Sequence, residues 1–218
     1  MKKLLIVLAV LAALALIGLA ILDNRVQAFA EDNAELRVAG VLPDSEGVVV
    51  RIDSWPILVS VARGVLDTVT VTADSVTREG VRADELELIV HGIELDTAAM
   101  WTDRKLRVGG IERAILQGTM SANSISQRIG ATVVLTPGIV QVSRDGQTFV
   151  ATLEVDGRHV VLKSPIPGVK PMSFGLPPRD LLPCQPDVKV LDGKLALHCE
   201  VTELPDVVRY AVGESSAR

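Results

Sequence analysis

The chain opens with a pattern that leaves no room for a polar face. From Leu4 to Leu22 it is an unbroken run of Leu, Ile, Val, Ala and a single Gly, which as a helix measures about 28 Å, the hydrocarbon thickness of a bilayer. Val26, Phe29, Ala30, Asn33, Ala34 and Arg37 then continue a helical spacing that ends near Gly40, with Pro43 just beyond. After that the period changes to two. Thr68 to Thr72 alternates Thr and Val, and Leu86, Leu88 and Val90 alternate with Glu85, Glu87 and Ile89. Ile139 to Val142 and Phe149 to Val155 flank a turn at Arg144-Asp145-Gly146, and Asp156-Gly157 leads into His159 to Leu162. Strands that follow one another through such short turns predict hairpins, hence a largely antiparallel sheet in an α+β fold. A second helix is predicted over Ser121 to Ile129, capped by Ser121 or Ser124 and ended by Gly130. Seven of the eleven prolines fall between Ser164 and Pro186, so that stretch reads as an extended crossing.

The apolar run sets the expected location. Lys2 and Lys3 precede it, and the small-residue site Ala28-Phe29-Ala30 lies behind the polar Asp23-Asn24-Arg25. That is farther than signal cleavage normally reaches. The expectation is an uncleaved, single-pass anchor over residues 1–22 in the cell inner membrane, with the rest of the chain on the extracytoplasmic side. Secretion after cleavage is the alternative. Residues 23–212 read as one domain and 213–218 as a frayed tail, since no repeat or composition shift divides the chain.

Charge narrows the partners. Without Lys2 and Lys3 the formal net charge of −5 becomes −7, with basic residues scattered among acidic ones. Nucleic acid is an unsuitable partner for such a surface, and adhesion to anionic headgroups by charge alone is disfavoured.

Cys184 and Cys199 flank a predicted hairpin turning at Asp192-Gly193, which sets them within one bulge of facing each other. In an oxidising compartment they can form a disulfide worth about 3 kcal/mol. Two unpaired buried thiols are the alternative; a zinc site with His198 lacks both ligand number and spacing.

The segment Ser-Trp-Pro-Ile-Leu-Val-Ser-Val-Ala-Arg-Gly, residues 54 to 64, places a large apolar cluster between two strand patterns, where most connections are polar. Trp55, Pro56, Ile57, Leu58, Val61, Val65 and Leu66 either plug one end of a core or line a lipid mouth or membrane contact. Met100 and Trp101 form a second apolar pair at a turn, with core and rim readings equally open.

A search for chemistry returns little. No G-x-S-x-G elbow, phosphate-binding glycine loop, H-E-x-x-H or EF-hand pattern occurs. His91, His159 and His198 each sit inside a strand pattern and read as sheet-face residues, and Asp84, Glu85 and Glu87 as a solvated strand start. No catalytic residue, metal or cofactor is expected. Hydrophobic residues make up 48% of the chain, with only three Phe, two Trp and one Tyr. Branched aliphatics of this kind serve an acyl-chain wall or an ordinary β core equally well.

The residues then suggest a family. Val48-Val-Val-Arg-Ile52-Asp-Ser-Trp55-Pro56-Ile57-Leu58, followed by Gly64, Val69-Thr-Val71-Thr-Ala73, Gly80-Val81 and Leu86 to Ile93, resembles the exported actinobacterial LmeA-like phospholipid-binding family. There an I-x-G-F-P-F-L segment precedes a V-x-V-x-A strand; here Trp55 and Ile57 stand where phenylalanines are usual. The resemblance continues through Ser121 to Ile129 and into Leu182-Pro183, Val188, Val190, Gly193 and Leu195. It implies a fold similar to tubular lipid-binding domains, a long curved sheet wrapped on one or two helices. It also implies a phospholipid ligand of the phosphatidylinositol type and a part in building envelope lipoglycans. The expectation is therefore a non-catalytic, membrane-anchored protein that holds or carries a phospholipid or lipid-linked glycan precursor in an apolar groove. The rival is an interaction module that scaffolds an envelope glycosyltransferase or transporter without binding lipid; a hydrolase acting on envelope lipid is a third reading.

Overall fold

A computed structural model describes residues 2–41, 44–78, 81–97, 107–177 and 182–203, with side chains from residue 21 onward except those of Val41 and Arg78. Helix α1 (Lys2–Val41) leads into β1 (Ser45–Glu46), β2 (Val49–Ile52), helix α2 (Ile57–Arg63), β3 (Val65–Ala73), β4 (Ser75–Arg78), β5 (Val81–Ala83) and β6 (Glu85–Leu95). β7 (Val108–Gly110), β8 (Arg113–Ser121) and helix α3 (Ala122–Ile129) follow. Then come β9 (Thr132–Thr136), β10 (Ile139–Arg144), β11 (Gln147–Asp156), β12 (His159–Lys163), β13 (Met172–Gly175), β14 (Asp187–Val190) and β15 (Lys194–Val201).

All described strand pairs are antiparallel. They form a seven-stranded sheet in the order β14-β15-β8-β6-β3-β2, with β7 beside β6, a five-stranded sheet β13-β12-β11-β10-β9, and a small sheet β1-β4-β5. The expected curved, mostly antiparallel architecture is present, divided into three sheets and curled into a half-barrel, with α1, α2 and α3 as the helices among the described residues. Among those residues no helix is long and apolar enough to cross a membrane. The expected anchor falls on residues whose side chains lie, up to residue 20, outside the described ones.

Local chemistry accounts for several boundaries. Ser121 caps α3 by accepting from the Ser124 amide, and Gly130 ends it in the left-handed conformation. Asp145 (φ 52) and Gly146 (φ 78) make the hairpin turn between β10 and β11, the left-handed pair that two-residue hairpins favour. The proline-rich crossing is not wholly extended. Met172 and Phe174, both buried, pair with Leu162 and Val160 and add β13 to the sheet, a two-residue alternation too short to stand out among prolines.

The inward alternation of β6 and β3 breaks at Gly92 and Asp67. Inward residues of β6 run Leu86, Leu88, Val90 and then Ile93, Leu95, and β3 changes in step from Val71 and Val69 to Leu66. Gly92 makes the change on β6: its φ is +59, and a Cβ there would stand 2.7 Å from the Glu112 Cβ. On β3 the Asp67 amide donates to the buried Ser54 Oγ at 2.7 Å.

The last hairpin has the expected register, with Asp187 opposite His198 and Val190 opposite Leu195 around Asp192-Gly193. Cys184 and Cys199 are joined in a disulfide, Cα to Cα 6.0 Å, closing a loop with a sequence separation of 15. Arg158 Nη1 donates to the Leu182 and Cys184 carbonyls, tying this segment to the β11–β12 turn.

Replacing both cysteines by alanine should lower unfolding free energy by about 3 kcal/mol for a loop of this length, read from urea midpoints with and without reductant. Glu85 provides a pH test. Its carboxylate accepts from Lys194 Nζ at 2.9 Å and from Thr119 Oγ1 at 3.0 Å, and the lysine first, then the threonine, hold it below the usual glutamate range. The stabilisation is present above the unfolded pKa of about 4.3 and is lost as pH falls through the lower folded value. Because both side chains are exposed the effect is small; Glu85→Gln should flatten this part of the acid limb of a urea-midpoint titration.

Candidate functional site

The apolar face of the seven-stranded sheet is built row by row from strand register. One row runs Ile52, Val69, Val90, Ala114, Val201, and the next Val50, Val71, Leu88, Leu116, Cys199. A third runs Ala73, Leu86, Gly118, Leu197, Val188, and a fourth Met120, Leu195, Val190. Each strand contributes every second residue, which is the period-two pattern made physical.

What lies against these rows differs from end to end. Met120, Leu195 and Leu197 pack with Ile125 of α3 and with the inner residues of β9 to β13, such as Val142, Val160 and Leu162. At the β2 flank, Ala34 and Val38 of α1 pack with Val50, Ala73 and Val76. Between these two covers Val69, Val71 and Leu86 belong to two clusters at once and yet are only half-buried. That stretch retains accessible apolar surface, as do Val188, Val190 and Val201 at the β14–β15 side of the face.

Helix α2 sits at the end where the alternation breaks. Its Ile57 is 2% exposed, Val61 and the following Leu66 pack against the cluster of Leu88, Val90 and Leu116, and Gly64 ends the helix at φ 75. The other side of the same segment faces out: Trp55 is 72% exposed and Val59 37%. The expected apolar connection is thus a short helix with two faces. Ile57 is core, Pro56, Leu58, Val61 and Leu66 are half-buried, and Trp55 and Val65 are exposed. Trp55 is not a core plug. Met100 and Trp101 lie outside the described residues.

A polar stripe on α1 fixes this segment in place. Asp23, buried to 2% exposure, accepts from the Ile57 amide at 3.0 Å and the Leu58 amide at 2.9 Å, supplying from another helix the cap that Pro56 lacks. Four residues on, Gln27 Nε2 donates to the Ile52 carbonyl at 2.8 Å. Glu31 Oε1 accepts from the Ile52 amide at 2.8 Å, and Glu35 Oε1 from the Val50 amide at 3.0 Å. Gln27, Glu31 and Glu35 therefore act as a substitute strand along the open edge of β2, and Asp23 extends the stripe to the start of α2. The residue-by-residue reading passed over them because it tracked the apolar spacing; the signal present was four hydrogen-bonding residues at intervals of four.

A family model described as LmeA-like phospholipid-binding matches residues 22–207. The chain belongs to that family. The matched span takes in the four stripe residues, all four apolar rows, α2 and both cysteines, and the family is described by phospholipid binding. No curated protein and no solved structure matches the chain.

In a member of this family the stripe should matter for stability and the outward tryptophan should not. Asp23→Ala leaves two amides without an acceptor and should cost about 2–3 kcal/mol, whereas Trp55→Ser should stay within about 0.5 kcal/mol. Chemical denaturation of the two variants side by side checks both.

Proposed function

We propose that this protein holds the acyl chains of a phospholipid against Val69, Val71 and Leu86, with Leu58, Val61 and Leu66 of the α2 region forming the rim, and presents or carries the lipid without catalysis. The observation that carries the reading is the family match over an apolar face whose middle is only partly covered. Branched aliphatic walls suit a chain ligand because such binding needs area more than directional contacts. Each buried methylene is worth about 0.8 kcal/mol, so the face competes with a bilayer only by covering a comparable length of chain.

The wider setting belongs to the same proposal. The Leu4 to Leu22 run anchors the chain as a single pass in the cell inner membrane, with residues 23–212 as one domain on the extracytoplasmic side. The lipid is a phospholipid of the phosphatidylinositol type or a lipid-linked glycan precursor, and the process served is lipoglycan or envelope biogenesis, with a glycosyltransferase or transporter as the receiving partner.

Native mass spectrometry of the full chain, released from mild detergent, should show one discrete phospholipid adduct whose extracted mass names the headgroup. Val69→Thr with Val71→Thr keeps volume and strand preference but makes the half-covered stretch polar, and should lower adduct occupancy several-fold. A bare mass that takes up no added phospholipid would contradict the reading and favour the lipid-free interaction module.

A further inference from the structure

Four exposed large apolar side chains flank the two segments that the buried Asp23 joins: Ile21 (59% exposed) and Leu22 (54%) precede it on α1, and Trp55 and Val59 lie on the segment whose Ile57 and Leu58 amides its carboxylate binds. Phe29 (70%) and Leu36 (74%) are exposed farther along α1, where single exposed apolar residues are ordinary; several on two segments tied by one carboxylate point to a partner surface. What precedes residue 23 says which surface. The helix continues without a break back to Lys2, and from Leu22 to Leu4 its sequence is wholly apolar. Asp23 is the first ionisable residue after that run, and it is bonded to the start of α2. The α2 start is therefore held at the level where the apolar run ends.

We propose that the Trp55–Val59 turn is a membrane foot: Trp55, with Ile21 and Leu22, lies at the headgroup–acyl boundary of the bilayer entered by α1, so lipid reaches the apolar face directly from that leaflet. The inference rests on the anchored phospholipid-binding reading given above. A tryptophan has the right chemistry for this depth, with an apolar body and one N–H that keeps a polar partner. The charges nearby are mixed, with Arg25 and Arg63 exposed beside Asp53 and Asp67. Insertion therefore depends on apolar burial, and its salt dependence is slight. Because the Asp23, Gln27, Glu31 and Glu35 contacts lock α1 to the sheet edge, the foot cannot swing away from the bilayer while α1 remains in it. This geometry suits extraction or presentation of lipid at one membrane.

The test uses the full chain carrying Trp101→Phe, which leaves Trp55 as the single tryptophan, reconstituted in phosphatidylcholine–phosphatidylglycerol vesicles. Co-sedimentation reports membrane entry separately. Trp55 emission should shift to the blue, resist aqueous iodide, and be quenched more by lipids brominated near the carbonyl than by lipids brominated near the methyl end. Raising salt should leave the quenching unchanged. Emission as red and iodide-sensitive as free indole, in protein that co-sediments, overturns the foot. Quenching by one equivalent of brominated phospholipid in otherwise unbrominated vesicles also overturns it, because Trp55 would then face the bound lipid. Failure to co-sediment overturns it together with the anchor. Lipid adducts measured on Trp55→Ser by native mass spectrometry keep the two readings apart: an adduct that persists while the bromine result fails sinks the foot and leaves the lipid function standing.

Discussion

A strand at the edge of a sheet cannot bury its outward N–H and C=O groups without partners, and β2 meets that constraint by taking them from a helix. Glu35 and Glu31 receive the Val50 and Ile52 amides, Gln27 serves the Ile52 carbonyl, and Asp23 takes the two leading amides of α2. A neighbouring strand would have supplied the same bonds but would have left its own far side bare. A helix closes the edge and exposes none, because its backbone is satisfied internally. The arrangement also joins three things that could have been independent: α1, the rim of the apolar face and the exposed tryptophan move as one body.

The rest of the site follows from how the sheet is covered. Its apolar rows extend across five strands, wider than any single cover in the fold. The five-stranded sheet and α3 close one end, and α1 with the small sheet closes the β2 flank. Between them Val69, Val71 and Leu86 are left half-buried. The break in alternation at Gly92 and Asp67 puts the last inward residues, Ile93, Leu95 and Leu66, in one cluster with Val61 of α2. Cover of the apolar face is thus incomplete at Val69, Val71 and Leu86.

Much of this was legible in the sequence, and what was not has physical reasons. Alternation gave the hairpins because a half-buried antiparallel sheet enforces period two; the register around Asp192-Gly193, and with it the Cys184–Cys199 pairing, followed from turn geometry. Ser121 and Gly130 marked α3 because capping is local. Residues 54 to 64 were harder. An apolar cluster can face in or out, and only the tertiary placement of Asp23 turns Ile57 inward and leaves Trp55 outside. The polar stripe of α1 was hidden for a related reason: Asp23, Gln27, Glu31 and Glu35 look like a solvated face until the edge they pair with is known. β13 is four residues among prolines, where propensity carries almost no signal.

Amide hydrogen exchange on the full chain reads the clamp between α1 and the sheet edge at the bonds themselves. The Val50, Ile52, Ile57 and Leu58 amides should be protected to a degree comparable with the Val71 and Leu88 amides inside the sheet, and Glu31→Ala should release Ile52 before its neighbours. Exchange of these four amides at the rate of a bare edge strand, with the interior of the sheet still protected, would contradict it: α1 would then be only loosely joined to the sheet edge.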